Sequence, residues 1–135
     1  MKETVFTKKF VDHMKKKFPY MWAANIHGHE MQRSSLPDYL FCINSIFTAI
    51  EFKVQRDYKI SITPLQVKEI NDIKNSNGIG LIIAWDENWD RILIRERRLD
   101  WKKIKKGYTK IDWDFDYVNY EDAMDLLEVF IGAKL

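Results

Sequence analysis

The chain has 135 residues, 22 basic against 20 acidic side chains for a net charge of +2, a single cysteine and 46% hydrophobic content. This suits one compact domain over residues 1–135. It excludes a disordered chain, an internal disulfide framework or multi-cysteine zinc site, and the uniform basicity of a protein that coats DNA. No apolar run approaches the roughly 20 residues that a membrane helix needs. Met1 to Phe18 is amphipathic and Lys-rich with no apolar signal region, so a cytoplasmic protein without membrane contact is expected.

Phe6, Phe10, Met14 and Phe18 recur at helical spacing and predict a helix from about Glu3 to Lys17, ended by Pro19. Tyr20 to His27 reads as extended, and His27 to Ser35 as a loop. Leu40 to Ile43 and Thr48 to Val54 read as two strands joined by a tight turn at Asn44-Ser45. Arg56 to Ser61 is polar and turn-like. Thr63 then caps a helix that runs from Pro64 to about Lys74, with Leu65, Ile70 and Ile73 on its apolar side and Asn77-Gly78 as its stop. Gly80 to Trp85 is a buried strand. Arg91 to Arg95 alternates as an outer strand does. Leu99 to Ile104 is a short helical turn, and Ile111, Trp113, Phe115 and Tyr117 alternate with charges as an amphipathic strand. Asn119 caps a last helix with Tyr120, Met124, Leu127 and Ile131 on one face. The order of elements is that of an α/β fold with a mixed sheet.

Chemistry concentrates in Pro37-Asp38 and, across the turn, Glu51-Phe52-Lys53. Residues two apart in a strand share a face, so Glu51 and Lys53 project together and Phe52 is buried on the other side. A lone carboxylate–ammonium pair on a sheet would be a surface ion pair worth about 1 kcal/mol or less. Asp38 changes that reading, because a hairpin brings it beside Glu51. Two adjacent carboxylates repel unless something positive lies between them, and a hard divalent cation is the natural occupant, with the Phe52 carbonyl as a further oxygen. Such a site suits phosphodiester hydrolysis. The metal polarises the phosphoryl group and acidifies water, and Lys53 handles the water and the growing phosphate charge.

The stretches Ser34-Ser35-Leu36-Pro37-Asp38-Tyr39-Leu40, Ala49-Ile50-Glu51-Phe52-Lys53 and Thr63-Pro64-Leu65-Gln66 resemble the PD-(D/E)XK nuclease superfamily. Within it the chain looks most like VRR-NUC domains and the small Holliday-junction resolvases of phages and prokaryotes. The resemblance covers Glu3 to about Trp85. It implies a restriction-endonuclease-like mixed β-sheet flanked by helices and a Mg²⁺- or Mn²⁺-dependent endodeoxyribonuclease of DNA recombination and repair. It further implies a homodimer acting on branched DNA, phage-encoded proteins acting in the host cell included. Asp38 and Glu51 match the metal-binding acids, Lys53 the catalytic lysine, and Gln66 a glutamine near the lysine and the attacking water. Glu3 is the candidate for an additional acid on the first helix. Where many relatives carry a glycine before the Pro-Asp pair, this chain has Leu36 preceded by Ser35.

Several of these residues have plainer readings. Thr63 to Gln66 is also a capping box, equal in weight to an active-site role on local sequence alone, and the motif match favours the site. Glu3 is also a helix-start acid favoured by the dipole. Arg33, Ser34, Ser35, Lys8, Lys9, Lys15 and Lys16 are candidates for holding DNA phosphate, although a lysine run alone is more often a solvated face. His27 and His29 have metal-like spacing with Glu30 as the one further ligand nearby, and exposed histidines are expected. Asp112, Asp114 and Asp116 start like a calcium loop, but Tyr117 stands where glycine is needed and Ala123 where glutamate is needed. Two rivals to a resolvase stay open: a restriction-like or repair nuclease on duplex, flap or single-stranded DNA, and a non-catalytic nucleic-acid-binding or assembly protein of the same fold.

Overall fold

The computed structural model describes residues 1–26, 36–105 and 107–135. Its elements run α1 (Glu3–Lys17), β1 (Trp22–Asn25), β2 (Tyr39–Ile43), β3 (Ile46–Gln55), β4 (Ile60–Ser61), α2 (Pro64–Asn75), β5 (Ile79–Asp86), β6 (Arg91–Arg95), a 3-10 turn (Trp101–Lys103), β7 (Tyr108–Thr109), β8 (Phe115–Val118) and α3 (Tyr120–Gly132). Six strands form one sheet in the order β1-β2-β3-β5-β6-β8, and β4 pairs with β7 apart from it. Among the described residues β3 and β5 alone pair in parallel within the large sheet, joined by the crossover through α2, so the sheet is mixed.

Local chemistry explains the turns that set the register. Asn44 and Ser45 both have positive φ, 50° and 68°, the geometry of a two-residue hairpin whose twist matches its strands. That hairpin pairs Ile43 with Ile46 and Tyr39 with Ile50, which leaves Asp38 one step beyond the pairing, level with Glu51. Helix α2 starts on a complete capping box and ends where Asn77, at φ 66°, lets Gly78 N–H donate to the Ile73 carbonyl.

Two apolar clusters hold the sheet. On one face Phe6, Phe10 and Met14 of α1 and Met124, Leu127 and Ile131 of α3 pack on Phe41, Ile50, Phe52, Leu81 and Ile83. On the other, Val67 of α2 meets Ile82, Ala84 and Leu93, closed by Ile60, Ile62 and Ile111. Strand parity therefore assigns Phe52 to the α1–α3 side and Glu51 and Lys53 to the α2 side. Small residues on that side, Ala49 opposite Gly80 and Ala84 opposite Lys53, let α2 sit close to the strands.

Four expectations change. Leu65 is 60% exposed, and Val67 with Ile70 forms the buried side of α2 instead, because the sheet lies over the turn after the cap. Strand β6 is not an outer strand, since β8 pairs beyond it, and Leu93 is buried in the α2-side cluster as Ile92 and Ile94 are in the other. The amphipathic run from Ile111 forms a strand only from Phe115, since Asp114 turns back to bind the Glu96 and Arg97 backbone N–H groups, and its Tyr117 is exposed. The segment Arg56 to Ser61 also holds more order than a turn. Arg56 and Lys59 exchange backbone hydrogen bonds, and Ile60–Ser61 is a strand. Among the described residues no helix is long and apolar enough to cross a membrane.

The close seat of α2 is open to test. A Cβ at Gly80 would lie 2.7 Å from the Ile70 carbonyl oxygen, a contact that backbone cannot relieve. Gly80→Ala is expected to cost about 1–3 kcal/mol in urea unfolding as α2 is forced off the sheet, whereas Gly132→Ala, with open space around it, leaves the midpoint nearly unchanged.

Candidate active site

Asp38 ends the segment that enters β2 and is 3% exposed; Glu51, in the middle of β3, is 1% exposed. The Asp38 carboxylate accepts a hydrogen bond from the Phe52 N–H at 2.9 Å, which fixes it against β3 where β2 no longer pairs. A residue's N–H and C=O point to the same neighbouring strand, so the Phe52 carbonyl opens toward the same side as Asp38. Below, Phe52 packs its ring edge-on to Phe6, Phe10 and Tyr39, which anchors the strand that carries the acids.

Lys53 Nζ lies 3.4 Å from Glu51 Oε1 and donates to Gln66 Oε1 at 3.4 Å. Gln66 Nε2 in turn donates to Glu51 Oε1 at 3.3 Å. The same Gln66 Oε1 accepts the Thr63 N–H at 3.0 Å, and the Gln66 N–H donates to Thr63 Oγ1 at 3.1 Å. The two readings of Gln66 are thus one structure: the capping box locks its side chain in the orientation in which it bridges Lys53 and Glu51. The structure brings together Asp38, Glu51, Lys53 and Gln66.

Electrostatics make the site incomplete by itself. Burial pushes the Glu51 carboxyl up to about 8, and the charge of Asp38 adds to the push; Lys53 pulls it down, and Glu3 raises it slightly. Glu51 Oε2 is buried and receives no hydrogen bond from the described residues. A buried carboxylate oxygen without a donor calls for a cation. The available donors are hard oxygens, two carboxylates and a carbonyl, so the residues fit Mg²⁺ or Mn²⁺ better than a softer metal. Among the described residues no three His, Cys, Asp or Glu side chains gather to hold a metal unaided. The two acids would share the ion with the Phe52 carbonyl and solvent.

Glu3 does not join the two acids in such a group. It is exposed on the first turn of α1 and lines two grooves, one of which also includes Asp38 and the other Lys53. The first groove, about 470 Å³, runs along α1 past Lys8 and Lys15 and has Asn25, Asp38 and Tyr39 on its far wall. The second, about 230 Å³, holds Lys53 with Lys2, Arg56, Ser61 and Tyr108. Lys8 and Lys15 line a groove, while Lys9 and Lys16, about 100° around the helix, are exposed on the next face. Arg33, Ser34 and Ser35 lie outside the described residues, as do His27 and His29. Lys2, Arg56, Ser61 and Tyr108 were not singled out by sequence. Arg56 follows Lys53 closely enough to be found by extending the strand past Gln55, but Tyr108 reaches the groove only through the pairing of β7 with β4.

Comparison with known structures finds the same architecture in a Holliday junction resolvase of the archaeal hyperthermophile Archaeoglobus fulgidus. The match has a TM-score of 0.60 and 14% identity, and covers 87% of this chain and 97% of that one. The fold is restriction-endonuclease-like. No protein-family model matches the chain, and no curated protein is similar to it in sequence. At 14% identity the likeness speaks for the backbone, and the roles of Asp38, Glu51, Lys53 and Gln66 rest on their own geometry.

The raised Glu51 carboxyl has a consequence for stability. The folded chain holds a proton there that the unfolded chain releases near 4.5, so the stabilisation is complete below pH 4.5 and is lost as pH rises through about 8. In metal-free buffer, Tm is expected to fall by at least about 5 °C between pH 5 and pH 8.5. Glu51→Gln, which cannot ionise, should flatten that part of the melting profile measured by circular dichroism.

Proposed function

We propose that the protein is a divalent-metal-dependent DNA endonuclease, and within that class a resolvase of branched DNA. The observation that carries the reading is the buried cluster of Asp38, Glu51, Lys53 and Gln66 on β3 and its neighbours, opening onto grooves lined by lysines and an arginine. The likeness of the backbone, over 87% of the chain, to a Holliday junction resolvase supports the same reading.

Asp38, Glu51 and the Phe52 carbonyl would hold Mg²⁺ or Mn²⁺, which when bound supplies Lewis-acid activation of the phosphoryl group and of water. The residues of the chain do the rest. Lys53, only 12% exposed, keeps its ammonium beside the carboxylates and faces the second groove, placed to donate to a non-bridging phosphate oxygen and to the attacking water. Gln66 holds Lys53 and Glu51 in register, so neither needs to reorganise as charge builds. Lys8 and Lys15 on one side and Lys2 and Arg56 on the other offer charge to the phosphates flanking the cut, which makes binding steeply salt-dependent. A homodimer follows from the substrate, because a four-way junction presents two symmetry-related strands.

Cleavage of a labelled four-way junction in Mn²⁺ tests the reading. Lys53→Ala should lower the rate by about 10²–10⁴-fold with circular dichroism unchanged, and the wild type should cut two opposed strands symmetrically. Undiminished cleavage by the folded variant would sink the assignment of Lys53. Equal cutting of junction and linear duplex would remove the resolvase part and leave a nuclease of broader choice.

A further inference from the structure

Beyond the catalytic cluster, β3 runs into the turn Arg56–Lys59, whose central residues Asp57 and Tyr58 have φ of 50° and 66°. This two-residue hairpin geometry normally takes Asn and Gly, because only small or locally bonded residues accept positive φ without strain. A tyrosine in the glycine position stands against local preference, and its ring is 57% exposed. The turn is nonetheless held firmly. Asp57 N–H donates to Asn88 Oδ1 at 2.9 Å, Asn88 Nδ2 donates back to Asp57 Oδ1 at 3.4 Å, Arg56 pairs with Glu87 at 2.6 Å, and Glu87 N–H donates to the Gln55 carbonyl at 3.0 Å. These bonds lace it to the β5–β6 turn, which carries Trp89, 60% exposed.

A third exposed ring lies closer to the chemistry. Tyr108, 67% exposed, lines the groove that contains Lys53 and Arg56. Its position is fixed by β7, where it pairs with Ser61, three residues after Tyr58. Strand rise places the Arg56–Lys59 turn roughly 10–17 Å from Lys53, a span of about three to five base steps. Tyr108 shares its groove with Lys53 and Arg56, and Tyr58 and Trp89 are exposed on the two laced turns beyond it. Exposed rings set near cations have the makeup of a surface for single-stranded nucleic acid, in which bases stack on rings and cations follow the phosphates. A duplex keeps its bases stacked on each other and has none to offer.

The geometry points to Tyr108, Tyr58 and Trp89 as a stacking track for unpaired bases beside the scissile phosphate, so that among branched substrates those with unpaired bases at the cut are preferred. This inference rests on the nuclease reading for its place in catalysis, but its binding term stands apart from cleavage. It makes Tyr108 and the two hairpin tips specificity residues, with no part in bond breaking.

The test measures affinity for a fluorescent oligothymidylate and for a blunt duplex, in EDTA so that no cleavage occurs. Tyr108→Ala and Trp89→Ala should each weaken the single strand about tenfold while the duplex changes less than about twofold. Tyr108→Phe should restore binding, because the ring alone is used. Tyr58→Gly is the sharpest variant. Glycine suits φ 66°, so the protein should be at least as stable as wild type, yet its single-strand affinity should fall about tenfold. Equal losses on both ligands would show general electrostatics instead, and unchanged single-strand affinity in all three variants would show surface rings kept for a protein partner; either overturns the track. Hydrolysis of bis(p-nitrophenyl) phosphate with Mn²⁺, a substrate without bases, keeps the two readings separate. Its loss in Lys53→Ala is expected. Wild type inactive on it and on DNA would overturn the nuclease reading without touching the stacking result.

Discussion

Two carboxyl groups buried side by side set the terms for this molecule. Asp38 and Glu51 are almost fully out of water, and Glu51 responds by holding its proton up to about pH 8. Leaving a charge unpaired in such a place costs several kcal/mol, and one lysine shared between Glu51 and a glutamine offsets it only partly. A protein concerned with stability alone would be better served by apolar residues here. The arrangement makes sense as a receptor for positive charge that arrives from outside.

The rest of the fold keeps those groups in place. The Asn44-Ser45 hairpin sets the register that brings Asp38 level with Glu51. Aromatic packing of Phe6, Phe10 and Tyr39 on Phe52 pins β3 from below. Ala49, Gly80 and Ala84 allow α2 to approach, and its capping box orients Gln66. A helix start and a strand centre, 15 residues apart in sequence, thereby meet at 3.3 Å through Gln66 and Glu51. Positioning by caps and close backbone packing needs little side-chain flexibility, which suits a site in which charge must be met without rearrangement.

Much of this was legible from the residues. Phe6, Phe10, Met14 and Phe18 announce α1 and Pro19 ends it, Thr63-Pro64 and Asn77-Gly78 bracket α2, and strand parity separates Glu51 and Lys53 from Phe52. These signals are local and periodic, so they survive without tertiary information. Other features depend on partners far along the chain. The exposure of Leu65 depends on where the sheet passes over α2, and the inner position of β6 depends on β8 arriving beside it. Tyr108 enters the groove only because two-residue strands pair. The Asp57-Tyr58 turn lacks the glycine that announces such hairpins, so its geometry ran against the composition rule. Lys8 and Lys9 look alike in sequence, and only the placement of α1 against β2 distinguishes the groove-lining one.

The central claim is that Asp38 and Glu51 form a divalent-cation site, and calorimetric titration of Mn²⁺ into the metal-free protein at pH 7 tests it most directly. Glu51 is protonated there, and a carboxylate must lose its proton to bind a metal. Repeating the titration in buffers of different ionisation enthalpy should show saturable binding with release of about one proton per ion, abolished in Asp38→Asn and in Glu51→Gln. Binding that persists in both variants, or no binding to the wild type, would contradict the account.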